Sequence, residues 1–106
     1  MNVANLKSME SSAAQAESLL SLLANRHRLM VLCHLIDGAK TVSELLLQST
    51  ISQSALSQHL AKLREADMVT TRRDGQKIVY SIASTEAQRL IETLCDLYAP
   101  PAIIPT

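Results

Sequence analysis

The sequence predicts a mostly helical protein with one small β-hairpin, in the order four helices, hairpin, helix. Three observations predict it. Apolar residues recur every three or four positions through most of the chain, no proline precedes Pro100, and strand-like alternation occurs only around Asp74-Gly75. The 106 residues suit one domain. Its core should be aliphatic, because the chain has no Trp or Phe and only two Tyr.

The first three helices are predicted from their apolar stripes and their end signals. Residues 1–10 are expected to be a flexible N-terminus, followed by a helix from Ser11 to Ala24 with leucines and alanines on one side. A second helix spans 26–37, with Gly38 as its stop and a buried stripe of Leu29, Leu32, Cys33 and Ile36. A short third helix follows Thr41, because Glu44 three residues later completes a capping box.

The fourth helix, the hairpin and the last helix complete the domain, which we place at residues 11–99. Ser52 opens the fourth helix, whose buried face is predicted to be Leu56, Leu60 and Leu63. After Asp67 the pattern alternates, and Asp74-Gly75 predicts a type I′ hairpin turn. A last helix begins at Ser84 and ends before Pro100, which leaves residues 100–106 as a C-terminal tail.

The formal net charge of +0 conceals an uneven distribution along the chain. Residues 51–80 carry a net +2, from Lys62, Arg64, Arg72, Arg73 and Lys77 against Glu65, Asp67 and Asp74. Half of the ten lysines and arginines therefore fall on the fourth helix and the hairpin. The neutral total does not exclude a nucleic-acid partner, because the basic residues are concentrated in the middle of the chain.

The fourth helix is the candidate recognition helix of a helix-turn-helix. Opposite its leucines it presents Gln53, Ser54, Ser57 and Gln58, whose uncharged amides and hydroxyls can pair with base edges in a major groove. His59 and Lys62 are further candidate DNA contacts on the same helix. The hairpin adds Arg72 and Arg73 before its tip and Gln76 and Lys77 after it, which suits contacts to flanking phosphates. This order predicts a winged helix-turn-helix.

The segment SQSALSQHLAKLREADMVTTRRDGQKIVYSI, residues 52–82, resembles the recognition helix and wing of the ArsR/SmtB repressors. The stretch from Ala24 to Leu29 resembles that family's entry to its second helix. The resemblance implies a cytoplasmic repressor that binds a double-stranded DNA operator with inverted-repeat symmetry and is released by an inducer. It also implies a homodimer formed through the first and last helices, in agreement with their apolar stripes. We expect no membrane association, since no apolar run approaches the length of a bilayer.

Many members of that family sense metals, but their ligand patterns are missing here. The third helix has no cysteine, the last helix has no histidine, and His27, His34 and His59 lack ligand spacing. We therefore predict no metal and no cofactor. The chain also lacks a glycine-rich phosphate loop and a nucleophile with a recognisable base, so no enzyme is predicted.

The two cysteines are the candidate sensor. Cys33 matches a reactive cysteine of the family branch that senses sulfide, persulfide or oxidant. The branch's second cysteine corresponds to Ala99, and Cys95 lies one helical turn earlier. The resemblance thus predicts release from DNA by oxidation or persulfidation at Cys33 and Cys95. Three alternatives stay open: two inert, packed cysteines; a metalloid bound by the thiols; and a domain of this fold that has lost DNA binding.

Overall fold

The computed structural model describes residues 2–99. Within them lie five helices and three strands: α1 (Val3–Leu23), α2 (Arg26–Ile36), β1 (Lys40–Thr41), α3 (Val42–Leu47), α4 (Gln53–Glu65), β2 (Val69–Asp74), β3 (Lys77–Ile82) and α5 (Thr85–Tyr98). The predicted order of helices and hairpin is confirmed, and the two-residue strand β1 was not predicted. The strands form one antiparallel sheet in the order β1-β3-β2. The predicted tail 100–106 lies outside the described residues.

Helix α1 begins at Val3, eight residues before the predicted start at Ser11. Residues 3–10 are therefore helical, and the predicted boundary at residue 11 falls inside α1. The Asn2 side chain caps the helix by accepting a hydrogen bond from the Asn5 N–H at 2.9 Å. Leu23 is the single buried residue of α1. The helix is thus held to the rest of the chain mainly at its C-terminal end.

The corner between α1 and α2 is built from two side chains. Asn25 caps α2 by accepting hydrogen bonds from the N–H groups of His27 at 3.0 Å and Arg28 at 3.1 Å. The Arg28 guanidinium reaches back and donates from Nε to the Leu22 carbonyl at 2.7 Å. That carbonyl belongs to the last turn of α1, where no helical N–H is available to it. This hydrogen bond from Arg28 therefore helps to fix the angle between α1 and α2.

The core is aliphatic, as predicted, and α2 lies at its centre. Its largest fully buried side chains are Leu32, Leu45, Leu56, Leu60, Leu63 and Ile91. The three leucines predicted for α4 are all among them. On α2 the buried face is turned from the predicted one: Val31 and Leu35 join Leu32 inside, whereas Leu29, Cys33 and Ile36 are half-buried. Helix α2 contacts α1, α4 and α5, so it has no single inward stripe.

Two predicted caps are present. Thr41 and Glu44 form the capping box of α3: the Thr41 hydroxyl accepts from the Glu44 N–H at 3.2 Å, and the Glu44 carboxylate accepts from the Thr41 N–H at 3.0 Å. The hydrogen bond that the carboxylate accepts from the Thr41 N–H, followed by one from the Thr41 side chain, lowers the pKa of Glu44. Ser52 caps α4 by accepting from the Ala55 N–H at 3.2 Å. The recognition helix therefore begins where the sequence predicts.

The hairpin is present, but its turn differs from the predicted type. Asp74 pairs with Lys77, so the two loop residues are Gly75 and Gln76. Gly75 has a φ of 64°, whereas Asp67 is the only non-glycine residue between 2 and 99 with a positive φ. A positive φ at the first loop position alone defines type II′, and type I′ needs it at both. The prediction of type I′ was wrong because strand pairing extends one residue further than Asp74-Gly75 indicates.

Asp67 ends α4 in the left-handed conformation, with a φ of 58°. Its N–H donates to the Arg64 carbonyl at 3.0 Å, and the Met68 N–H donates to the Leu63 carbonyl at 2.9 Å. These are the two hydrogen bonds of a Schellman motif, which usually places glycine at this position. The motif turns the chain sharply from α4 into β2.

Among residues 2–99, no single helix is long and apolar enough to cross a membrane. Helices α1 and α2 meet that length and composition only as a pair bent by 93°.

Candidate nucleic-acid interface

Helix α4 is anchored by one face and free on the other. Leu56, Leu60 and Leu63 are at most 1% exposed, which fixes the rotation of the helix about its axis. Because the helix turns by 3.6 residues, the side opposite these leucines is set as well. The four side chains that are predicted to contact bases are all exposed: Gln53, Ser54, Ser57 and Gln58.

The polar atoms of this exposed face are largely unused within the chain. Ser54 shares a 3.3 Å hydrogen bond with the Ser52 hydroxyl. Across the described part of the chain, the side chains of Gln53, Ser57 and Gln58 make no hydrogen bond to another protein group. Amide and hydroxyl groups arranged in this way can donate to and accept from base edges. The face can therefore bind a ligand without first breaking internal contacts.

The wing, defined here as β2, β3 and the turn between them, packs beside α4 through β2. All four predicted wing residues, Arg72, Arg73, Gln76 and Lys77, are exposed. Arg72 and Arg73 are consecutive in β2, so they point to opposite faces of the hairpin. Arg72 pairs with Val79 and Arg73 with Ile78. The two guanidinium groups thus lie on opposite faces of the hairpin and cannot bind the same phosphate.

His59 lies away from the exposed face of α4, whereas Lys62 is exposed on it, one turn after Gln58. The His59 ring is half-buried and packs against the ring of His27 on α2, with centroids 5.6 Å apart. Burial lowers the pKa of His59, and the positive charges of Arg28, His27 and Lys62 lower it further. Lys62 lines a groove between α1 and α4 together with Glu17 and Arg28. His59 therefore connects α4 to the α1–α2 corner, a role that the sequence analysis missed, whereas Lys62 stays a predicted DNA contact.

The structure brings the two cysteines together. Cys33 on α2 and Cys95 on α5 are both free and half-buried, at the place where these two helices pack against each other. Burial raises the pKa of the Cys33 thiol to about 11; the charge of Cys95 and a hydrogen bond between the two side chains add to the shift. Ala99 is exposed one turn further on, where its N–H donates to the Cys95 carbonyl at 2.8 Å.

Within residues 2–99, no three His, Cys, Asp or Glu side chains lie close enough together to hold a metal ion.

Comparison with known proteins gives consistent matches. A family model described as "Bacterial regulatory protein, arsR family" matches residues 25–71. The transcriptional activator HlyU of Vibrio cholerae is 47% identical over 94 residues, which cover 89% of this chain and 87% of HlyU. The biofilm growth-associated repressor of Agrobacterium fabrum is 43% identical over 96 residues, which cover 91% and 82%. The solved structure of reduced HlyU from Vibrio cholerae superposes with a TM-score of 0.83 at 45% identity, covering 88% of this chain and 98% of HlyU.

Proposed function

The chain belongs to the ArsR family of bacterial regulatory proteins, and on that premise we propose that it represses transcription as a homodimer on an inverted-repeat operator. The family resemblance stated from the sequence is thereby confirmed, as is the winged-helix fold. The protein is a DNA-binding transcriptional regulator, and the relatives described above are regulators as well. We place its action in the cytoplasm, where its DNA partner is found.

The exposed, uncharged face of α4 is the observation that carries this proposal. A helix surface in water usually carries charged residues, whereas this one offers Gln53, Ser54, Ser57 and Gln58 with free hydrogen-bonding groups. We propose that these side chains contact base edges in the major groove and that the wing contacts the flanking backbone. A dimer bound to an operator within a promoter blocks access to that promoter, and this occupancy represses transcription.

Dimerisation through α1 and α5 is supported by apolar side chains that the single chain leaves in water. On α1 these include Val3, 68% exposed, and Leu20, 58% exposed; on α5 they include Leu97, 67% exposed, and Tyr98, 83% exposed. The radius of gyration is 16.0 Å, above the roughly 13 Å of a spherical domain of this length, because α1 projects from the core. A second copy would cover both helices.

The DNA-binding proposal is tested by salt dependence of operator affinity. Each phosphate contact contributes a slope of about −0.9 to log K against log[salt]. If Arg72 and Arg73 each contact a phosphate in both subunits, Arg72→Gln/Arg73→Gln flattens the slope by about 3.6. The control pair Lys7→Gln/Arg89→Gln removes as many positive charges from α1 and α5 and leaves the slope unchanged. Equal slopes for all three proteins would refute the wing's role.

Base recognition requires its own variant. Gln53→Ala removes an exposed amide that makes no side-chain hydrogen bond within the described chain, so folding should be unaffected. We expect the ratio of operator to random-sequence affinity to fall by tenfold or more, since a bidentate pair discriminates by about 1–3 kcal/mol. An unchanged ratio would exclude Gln53 from base contact. Substitution of Gln58 by Ala extends the same test one turn along α4.

For the sensed signal, we propose that Cys33 and Cys95 form a disulfide that releases the operator. The raised pKa keeps Cys33 protonated, so Cys95 makes the first attack. The Cys95 thiolate takes the outer sulfur of a persulfide RSSH and releases RS⁻. Cys33 then attacks the inner sulfur of the Cys95 persulfide, which closes the S–S bond, and its proton leaves with the displaced sulfide as H₂S. The bond ties α2, which contacts α4, to α5, the proposed dimer helix.

This proposal is tested by operator binding and mass spectrometry on the same sample. After treatment with glutathione persulfide, we expect an intramolecular Cys33–Cys95 link and at least tenfold weaker operator binding, reversed by dithiothreitol. Cys95→Ser should abolish both effects. A link without any change in affinity would identify two packed cysteines with no signalling role. Binding of trivalent arsenic at the pair, without a persulfide response, would instead favour the metalloid alternative.

A further inference from the structure

A cavity lies on the face of the helix-turn-helix formed by α2, α3 and the turn that leads into α4. Its volume is about 180 Å³. Cavities of roughly 150 Å³ accommodate benzene, so the space suits a molecule of one small ring with one substituent. None of its lining residues comes from α1 or α5, so the proposed dimer leaves it open.

The lining combines an apolar floor with a basic rim. Leu45 is 1% exposed and Val31 5% exposed, and together with Ile51 they form the apolar part. The rim carries the Arg26 guanidinium and the imidazole of His34. Among the described residues, no aspartate or glutamate lines the cavity. An anionic group on a small apolar body matches this combination.

Met30 is an apolar residue of the cavity wall that the single chain leaves partly in water. It is 46% exposed at the cavity, although it directly precedes the buried Val31 on α2. A half-exposed methionine beside a basic rim gives an adaptable apolar contact for a small ligand. Met30 belongs to neither proposed dimer helix, so a second copy of the chain does not explain its exposure.

The cavity touches the groups that position α4. Its wall includes the turn residues Ser49 and Ile51, where the Ser49 hydroxyl accepts a hydrogen bond from the Ile51 N–H at 3.1 Å. This turn ends at Ser52, the cap of α4. The wall also includes His27, whose ring packs against His59 on α4. A ligand in the cavity therefore contacts both supports of the recognition helix.

We propose that this cavity binds a small monocarboxylate with an apolar body, such as an aromatic carboxylate, and that binding lowers operator affinity. The carboxylate accepts hydrogen bonds from Arg26 and His34, and the apolar body lies on Leu45 and Ile51. A ligand can shift an equilibrium only if it prefers one conformation. Here the preference arises because a bound ring contacts the turn that precedes α4 and holds that turn in one conformation. The effect on the operator rests on the proposed DNA-binding function, whereas the binding site does not.

The first test measures binding without DNA, so its failure is distinguishable from failure of the proposed function. Sodium benzoate is titrated into the ¹⁵N-labelled full chain, and we expect saturable shifts at residues 26–34 and 45–51. Arg26→Gln should weaken benzoate binding about tenfold, as expected for one charge-assisted hydrogen bond. The control Arg89→Gln should leave it unchanged, and Met30→Trp should block the cavity.

Three probes separate the sources of binding. Benzyl alcohol keeps the ring without the charge and should bind at least tenfold more weakly than benzoate. Inorganic phosphate keeps the charge without the ring. If phosphate shifts the same residues as strongly as benzoate does, the cavity is a contact for the DNA backbone and the carboxylate proposal is wrong. Absence of saturable benzoate shifts at these residues would also overturn it. Finally, benzoate should weaken operator binding of the wild type at least threefold, and should not affect Arg26→Gln.

Discussion

Oxidation of Cys33 and Cys95 should stabilise the protein by an amount that the fold itself determines. The disulfide would close a loop between two cysteines that lie 62 positions apart in the sequence. Chain entropy alone then contributes about 4 kcal/mol at 25 °C, because the unfolded chain loses that much freedom. This is a large fraction of the 5–15 kcal/mol that holds a typical domain together. It is an upper value, because strain in the native state subtracts from it.

The assay compares urea unfolding of reduced protein with protein oxidised by diamide, at equal protein concentration because a dimer's stability depends on it. Diamide accepts two electrons and two protons as the two thiols become one disulfide. We expect the free energy of unfolding to rise by about 2–4 kcal/mol. The variants Cys33→Ser and Cys95→Ser should show no rise. If mass spectrometry finds the Cys33–Cys95 link within one chain and the oxidised protein is less stable, the thiols are not adjacent in the native state and the reasoning fails.

Three further predictions concern stability and reactivity. Burial and three positive neighbours lower the pKa of His59 below its usual value, so the folded state disfavours its protonation. Stability should therefore be complete above about pH 6.5 and fall as the pH drops below it; the urea midpoint should decrease less in His59→Gln than in the wild type between pH 7.5 and 5.5. Asp67→Gly removes a non-glycine residue from the left-handed region and should raise the melting temperature by a few degrees, for a gain of about 0.5–1 kcal/mol, whereas Asp67→Val should lower it. Because burial is the largest cause of the raised pKa of Cys33, alkylation of Cys33 by iodoacetamide in Cys95→Ser should still accelerate about tenfold per pH unit up to pH 9; a rate that levels off below pH 9 would contradict the burial argument.

The sequence predicted best those elements whose signals are local. Thr41 with Glu44, and Ser52 with three leucines at helical spacing, each specify a cap or a buried face within one helix. These features need no knowledge of the rest of the molecule. The exposed face of α4 could be predicted for the same reason, because the three buried leucines determine which side of the helix is left in water.

What the sequence could not show depends on contacts between elements. Strand β1 has two residues, too few to display alternation, and it exists because it pairs with β3. The early start of α1 had a signal that the prediction passed over: Asn2 as a cap, followed by Val3, Leu6 and Met9 at three-residue steps. The closeness of Cys33 and Cys95 depends on how α2 packs on α5.

The pairing of His27 with His59 is of the same kind. The two residues lie on different helices and share no sequence pattern, so only the packed structure reveals that they connect the α1–α2 corner to the recognition helix. One of the predicted DNA contacts, His59, therefore acquires a structural role that spacing alone could not indicate.

Because of the order of the strands, the tip of the wing tolerates changes of length better than the base of the sheet does. Strand β3 is the middle strand and is held on both sides, by β1 through Lys40 and Thr41 and by β2. Beyond these pairs, the tip from Asp74 to Lys77 is supported by the hairpin alone. Residues inserted at Gly75-Gln76 would lengthen the wing without altering the base of the sheet or the seat of α4. The tip is accordingly the place where a peptide tag or a fluorophore can be grafted onto this regulator, and where wings of different reach can evolve on an unchanged helix-turn-helix.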